Sequence, residues 1–224
     1  MSRREQAKDD RRGRIVEAAC SLLREVGVEA LSMKAVASRA DVSLSTVYNL
    51  FTSKQAVLAV VFDRDLETFQ QLVEAAPSSD PLQRIFDSIE IAASLYLADP
   101  QFYRATMLSW NGGGGDRFLD VALRQPRNRF WRKMISDAVE GGHLKPRADP
   151  DVLGALAVQI FGGVLSEWIS GEISLERLKM EISFGFATAL APFATPLDAK
   201  WLFEMVSDLH DELSEMRRQD EAAA

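Results

Sequence analysis

The 224-residue sequence predicts an all-α protein: an N-terminal three-helix unit built on a helix-turn-helix, followed by a larger helical domain. Three observations carry that expectation. Apolar residues recur at helical spacing almost throughout, and no segment alternates with period two. Short segments opened by serine caps crowd the first 54 residues, whereas later ones are long. Charge divides in the same way. Residues 1–54 hold ten Lys and Arg against seven Asp and Glu, although the whole chain carries −7. A basic end on an acidic body attracts phosphate locally, because salt screens charges beyond about 10 Å.

Ile15, Ala18, Ala19, Leu22, Leu23 and Val26 stand at i, i+3, i+4, i+7, i+8 and i+11, one helix that Gly27 closes. Ser32 caps a short helix whose inner face is Met33, Val36, Ala37 and Ala40, and Ser43 caps the next, over 44–51. Thr52 and Ser53 are both able to cap a long fourth helix over 54–76. Prolines at 77 and 81 break the chain before a helix at 82–98. Helices follow at 101–110 and 116–140, with Pro126 either kinking the second or opening its latter half. After a Gly-Gly-His-Leu-Lys-Pro loop at 141–146, Asp149 or Asp151 caps a helix at 152–170. Two more run over 174–192 and 197–216, and 219–224 is expected to fray.

The second and third helices form the helix-turn-helix. Its packing needs a small residue in the first helix, a turn residue four positions later, and a branched apolar residue six beyond. Ala37, Asp41 and Val47 meet those needs, and aspartate tolerates the positive φ common at the turn. Within residues 11–60, the Arg-Arg-Gly-Arg-Ile-Val-Glu-Ala-Ala opening, Gly27, the Leu-Ser-Met-Lys-Ala-Val-Ala run from Leu31 and the Thr-Val-Tyr-x-x-Phe-x-x-Lys run at 46–54 resemble the tetracycline-repressor (TetR) family. The resemblance covers the first quarter of the chain. It implies a dimeric, all-helical regulator that binds a palindromic operator, most often as a repressor released by a small molecule; activation stays open. The domains follow: 1–54 to bind DNA, and 55–224 to bind effector and dimerise, with the 54–76 helix linking them.

A short third helix fits the major groove with its first residues nearest base edges. Leu44 is thus expected to meet a thymine methyl and Ser45 to hydrogen-bond a base, with Asn49 and Lys34 as further base readers. Ser32, Thr46, Tyr48 and Lys54 are expected on phosphates, Lys54 aided by the dipole of the fourth helix. Arg11, Arg12 and Arg14 would add backbone or minor-groove contacts. Val47 and Phe51 belong to the core.

The second domain holds most of the aromatic and methionine content, and the family resemblance implies an effector cavity between the long fourth helix and those after it. Phe86, Tyr96, Met107, Trp110, Phe130, Trp131, Met134, Phe161 and Trp168 are the candidate lining, for an apolar or aromatic ligand not identifiable from sequence. Glu90, Gln159 and Glu167 could orient it. The 152–170 and 174–192 helices are apolar on more than one face and must bury the second somewhere. By resemblance they form an intersubunit four-helix bundle, with Gly162 and Gly163 permitting close approach in a homodimer.

Other classes are less well served. Asn111 with four glycines and Asp116 lacks the preceding strand and following Gly-Lys-Ser/Thr of a phosphate cradle. His143 and His210 have no nucleophile motif beside them, and Cys20 reads as a packing residue on the first helix. One cysteine and two histidines suggest no metal site, and no cofactor is expected. No uninterrupted run of about 18 apolar residues marks a membrane span, and the opening lacks a secretory apolar stretch, so the expected compartment is the cytoplasm. A helical protein–protein adaptor remains the rival to a DNA reader.

Overall fold

The computed structural model describes residues 2–104 and 117–223, with the backbone alone at 29, 117–124 and 223. Its helices are α1 (Arg3–Ala30), α2 (Met33–Arg39), α3 (Leu44–Leu50), α4 (Lys54–Glu74), α5 (Pro81–Ala98), α6 (100–104), α7 (Arg117–Glu140), α8 (Pro150–Ser170), α9 (Leu175–Leu190) and α10 (Pro196–Ala223), with a 3₁₀ turn at Ala191–Phe193 before α10. The fold is all-α. Among the described residues the β pairing is one antiparallel bridge, Leu144 to Ala194. The chain divides into two compact units, Met1–Thr68 with Asp99–Gln125, and Phe69–Ala98 with Pro126–Ala224. The segment 1–54 lies inside the first.

In the first unit, Ile15, Ala19, Leu23, Val36, Val47, Val57 and Val61 are buried, so α1 to α4 share one small core. The caps fall where short polar side chains precede apolar runs. Ser32 accepts from Ala35 N at 3.1 Å, Ser43 from Thr46 N at 3.1 Å, and Ser53, rather than Thr52, from Ala56 N at 3.1 Å. Gly27 breaks α1 at φ 72°, ψ −179°, with one more turn before Leu31. Two bounds differ from expectation. α1 begins at Arg3 because Ser2 and Glu5 form a reciprocal capping box. At the other end α10 reaches Ala223 instead of fraying, since Arg177 pairs with Asp220 at 2.8 Å and Arg217 with Glu221 at 3.2 Å.

The second unit stacks α9 against α5, α8 and α10 over a core of Ile85, Ile89, Ile135, Leu178, Ile182, Phe186 and Leu202. Gly154 lets α8 press on α7: a Cβ there would lie 2.9 Å from the Arg132 backbone nitrogen. Asp149, not Asp151, caps α8, and Gly171 ends it in the left-handed conformation. Pro126 stays inside α7. By length and composition α8 is apolar enough to cross a membrane. Asp151, Gln159 and Glu167 interrupt it, which is why no uninterrupted span appears in the sequence, and its Leu153, Ala157, Leu165 and Trp168 are buried in the second unit.

Candidate nucleic-acid interface

α3 has seven residues, about 10 Å of helix at 1.5 Å per residue. Val47 on its inner side is fully buried, and Phe51 is buried just past its end. Leu44 and Tyr48 point the other way, 42% and 51% exposed, one helical turn apart. Ser45 and Asn49 repeat that spacing beside them and are exposed as well. All four fall on one side of α3 by helical spacing, and Lys34 of α2 is exposed as well. Leu44 and Tyr48 thus leave an apolar edge among polar groups on the outer side of α3.

The turn behind it is tightly made. Asp41 adopts φ 52°, the one positive φ outside glycine among the described residues. Val42 N donates to Ala37 O at 3.1 Å, closing the corner that Ala37's small side chain permits. The Ser43 Oγ lies 2.8 Å from both Ser45 Oγ and Thr46 Oγ1, a hydroxyl cluster at the start of α3. Ser32 uses an oxygen lone pair in its cap, which leaves its hydroxyl proton able to donate outward.

Two basic residues are held inside the fold. Arg12 donates from Nη1 to Leu50 O at 3.4 Å, and its guanidinium lies 4.5 Å from the Phe51 ring centre. Arg12, one of the three arginines expected to add backbone or minor-groove contacts, thus also secures the end of α3. Lys54 donates to the carbonyl oxygen of Val28, tying the start of α4 to the turn after Gly27. Neither contact has a local sequence signal, since the partners stand 38 and 26 residues apart.

A capped short helix, a tight turn at positive φ and a second helix with a free outer face make a helix-turn-helix. Residues 15–61 match the family model of bacterial regulatory proteins of the tetR family. The N-terminal head carries that family's signature. The chain is similar to the transcriptional repressor KstR of Rhodococcus jostii, with 38% identity over 79 residues, 35% of this chain and 37% of that repressor. The match thus spans little more than a third of KstR's length. An uncharacterised helix-turn-helix transcriptional regulator of Mycobacterium tuberculosis aligns further, at 28% identity over 156 residues and 68% of each chain. The TetR-family repressor FadR of Thermus thermophilus, solved with lauroyl-CoA, superposes with a TM-score of 0.65 at 19% identity, over 80% of this chain and 92% of that one. That last likeness is one of fold.

In the second unit, Tyr96 stacks on Trp168 at 5.4 Å between ring centres. Trp131 meets Phe130, Phe161 and Phe186 at 5.0, 5.9 and 4.9 Å. Phe86 packs edge-on to Trp201 at 5.2 Å, and Met134 is buried. Met107 and Trp110 lie outside the described residues. An enclosed void of about 10 Å³ touches Trp131, room for a single water at most. A larger open groove, about 490 Å³, is lined by Leu72, Ala75, Ile91 and Leu95 with Glu90 at its side, and by none of the expected aromatic residues. Glu90 is ion-paired to Lys179 at 3.3 Å. Gly162 and Gly163 are exposed, and a Cβ at either would meet open space. Cys20 sits in the core of the first unit, where burial pushes its thiol pKa up and away from reactive thiolate.

Proposed function

We propose that the protein is a homodimeric, sequence-specific transcription repressor of the cytoplasm, released from a palindromic operator by a small apolar or aromatic effector. The exposed Leu44–Tyr48 pair on the outer face of α3, backed by buried Val47, carries this reading. Leu44, Ser45, Asn49 and Lys34 meet base edges, and Ser32, Thr46, Tyr48 and Lys54 meet phosphates, Lys54 with those ammonium protons not given to Val28. Residues 1–54 form the DNA-binding domain; 55–224 bind effector and dimerise, with α4 as the link. The uncovered face of α8 around Gly162 and Gly163 supports a self-complementary interface. In the dimer the two α3 helices lie about 34–36 Å apart, one turn of DNA.

The naming of KstR as a repressor favours repression, and the acyl ligand of FadR favours an apolar effector. Tyr96, Trp131, Trp168 and their neighbours line the effector site once their rings part. Effector binding shifts the tilt of α4, and a coupling of about 1–3 kcal/mol changes operator affinity roughly 5- to 150-fold. Selection of bound duplexes from random DNA by the purified protein tests the reading. Enrichment of a palindrome with half-sites one helical turn apart is the expected result; no enrichment at low salt, where phosphate contacts are strongest, would refute it.

A further inference from the structure

The first twelve residues of α1 make no core, yet they are helical, and the helix sorts their charges. At 100° per residue, Arg3, Arg4, Lys8, Arg11, Arg12 and Arg14 fall on one half of its circumference, while Glu5, Asp9 and Asp10 fall on the other. Arg4, Lys8 and Arg12 form a row at spacing four. Arg12 fixes one end of that row against the last turn of α3, through Leu50 O and the Phe51 ring. The row then runs away from α3 for about 12 Å. Arg4 and Lys8 are exposed and Arg11 half-buried, and among the described residues none of the three has an ion-pair or hydrogen-bond partner. The Ser2–Glu5 capping box holds the far end helical.

We infer that the Arg4, Lys8 and Arg11 face of α1 is a second DNA-backbone contact, a helical arm that lengthens the operator footprint beyond the groove read by α3. This rests on the reading of the first unit as a DNA-binding head, and it adds residues outside the helix-turn-helix. The face adjoins the reading helix, and its charge complements phosphate. It carries no apolar residue except Ala7, so it lacks the buried face that would seat a helix in a membrane surface.

Each neutralised phosphate contributes about 0.9 to the slope of log affinity against log salt. With three residues on each of two protomers, the variant Arg4→Gln/Lys8→Gln/Arg11→Gln is therefore expected to flatten that slope by about 5. Between 50 and 200 mM salt the unaltered protein should lose on the order of 1,000-fold more operator affinity than the variant. Hydroxyl-radical protection should retreat at the outer edges of the site, with base preference unchanged. The variant Lys200→Gln/Arg217→Gln/Arg218→Gln removes equal charge from α10 and should leave slope and footprint alone. Lys8→Glu by itself should weaken binding with helicity intact by circular dichroism.

An unchanged slope and footprint in the arm variant, while Tyr48→Ala still loses the operator, would overturn the arm and leave the DNA-binding reading standing. If the unaltered protein selects no duplex, both fall together. Binding to phosphatidylglycerol vesicles that vanishes in the arm variant, with an unaltered footprint, would reassign the face to a membrane and overturn the proposal.

Discussion

Among the helices that leave apolar side chains in water, α3 and α8 differ in their surroundings. On α3, Leu44 and Tyr48 stand among the hydroxyl of Ser45, the amide of Asn49 and the ammonium of Lys34, in the segment with the basic excess. On α8, Val152 and Leu156 stand with Ala155, Gly162 and Gly163, and Val152 is 63% exposed. An apolar group framed by donors and positive charge suits a partner that is itself polar, such as base edges and phosphates. A run of small and branched apolar residues on a helix suits another helix that can lie close against it. Exposure alone does not distinguish a ligand-reading face from a self-association face; the neighbouring chemistry does.

The largest effect should come from breaking the α8 side. With α8 paired to its copy as proposed, Leu156→Glu or Gly163→Arg would place an unpaired charge in that contact, costing about 3 kcal/mol or more. Light scattering after gel filtration at micromolar concentration should find monomer, with operator affinity falling alongside. A variant that remains dimeric removes α8 from the interface. Tyr48→Ala should cost about 2 kcal/mol, roughly 30-fold in operator affinity, while the dimer mass stays unchanged. Loss of the dimer in that variant would mean the two faces are not independent.

Smaller effects sharpen the comparison from beneath each face. Gly154→Ala puts a methyl against the Arg132 backbone and should destabilise by about 1–3 kcal/mol, read as a melting temperature lower by several degrees. In the unit carrying α3, half-buried Asp65 accepts from the Tyr103 hydroxyl at 2.8 Å. Burial raises its carboxyl pKa, with the Tyr103 bond acting in opposition. The folded state thus holds that proton to higher pH than the unfolded chain does. The associated stability is complete below about pH 4, the ordinary aspartate value, and is lost as pH rises through the folded value. Asp65→Asn should gain on the parent protein in urea unfolding as pH rises from about 4 toward 7. A constant difference across that range would show that the carboxyl is not stressed.

What could be read from the sequence was local or periodic. Ser32, Ser43 and Asp149 are caps because a short polar side chain must satisfy the first amides of a helix, and that need is visible within four residues. The turn at Asp41 and the buried Val47 follow from packing geometry over ten residues. The uses of Arg12 and Lys54 were hidden, because their partners are backbone carbonyls far along the chain. The start of α1 at Arg3 and the end of α10 at Ala223 were hidden for a different reason. Both rest on capping and ion pairs in stretches with no apolar rhythm to announce a helix. The seven described aromatic and methionine candidates were legible as a cluster but not as a cavity, since rings that pack together carry the same pattern as rings that surround a ligand.

Asp41 bends the corner between α2 and α3 at a backbone conformation that glycine adopts without strain. The side chain there is exposed, so Asp41→Gly would relieve up to about 1 kcal/mol without touching a residue of the reading face. That difference is an evolutionary reserve. Substitutions on α3 that alter operator preference tend to weaken a core as small as this one, and a head that can recover stability at its corner can tolerate them. The freedom of this regulator to acquire new target genes is therefore set partly by a residue that reads no DNA.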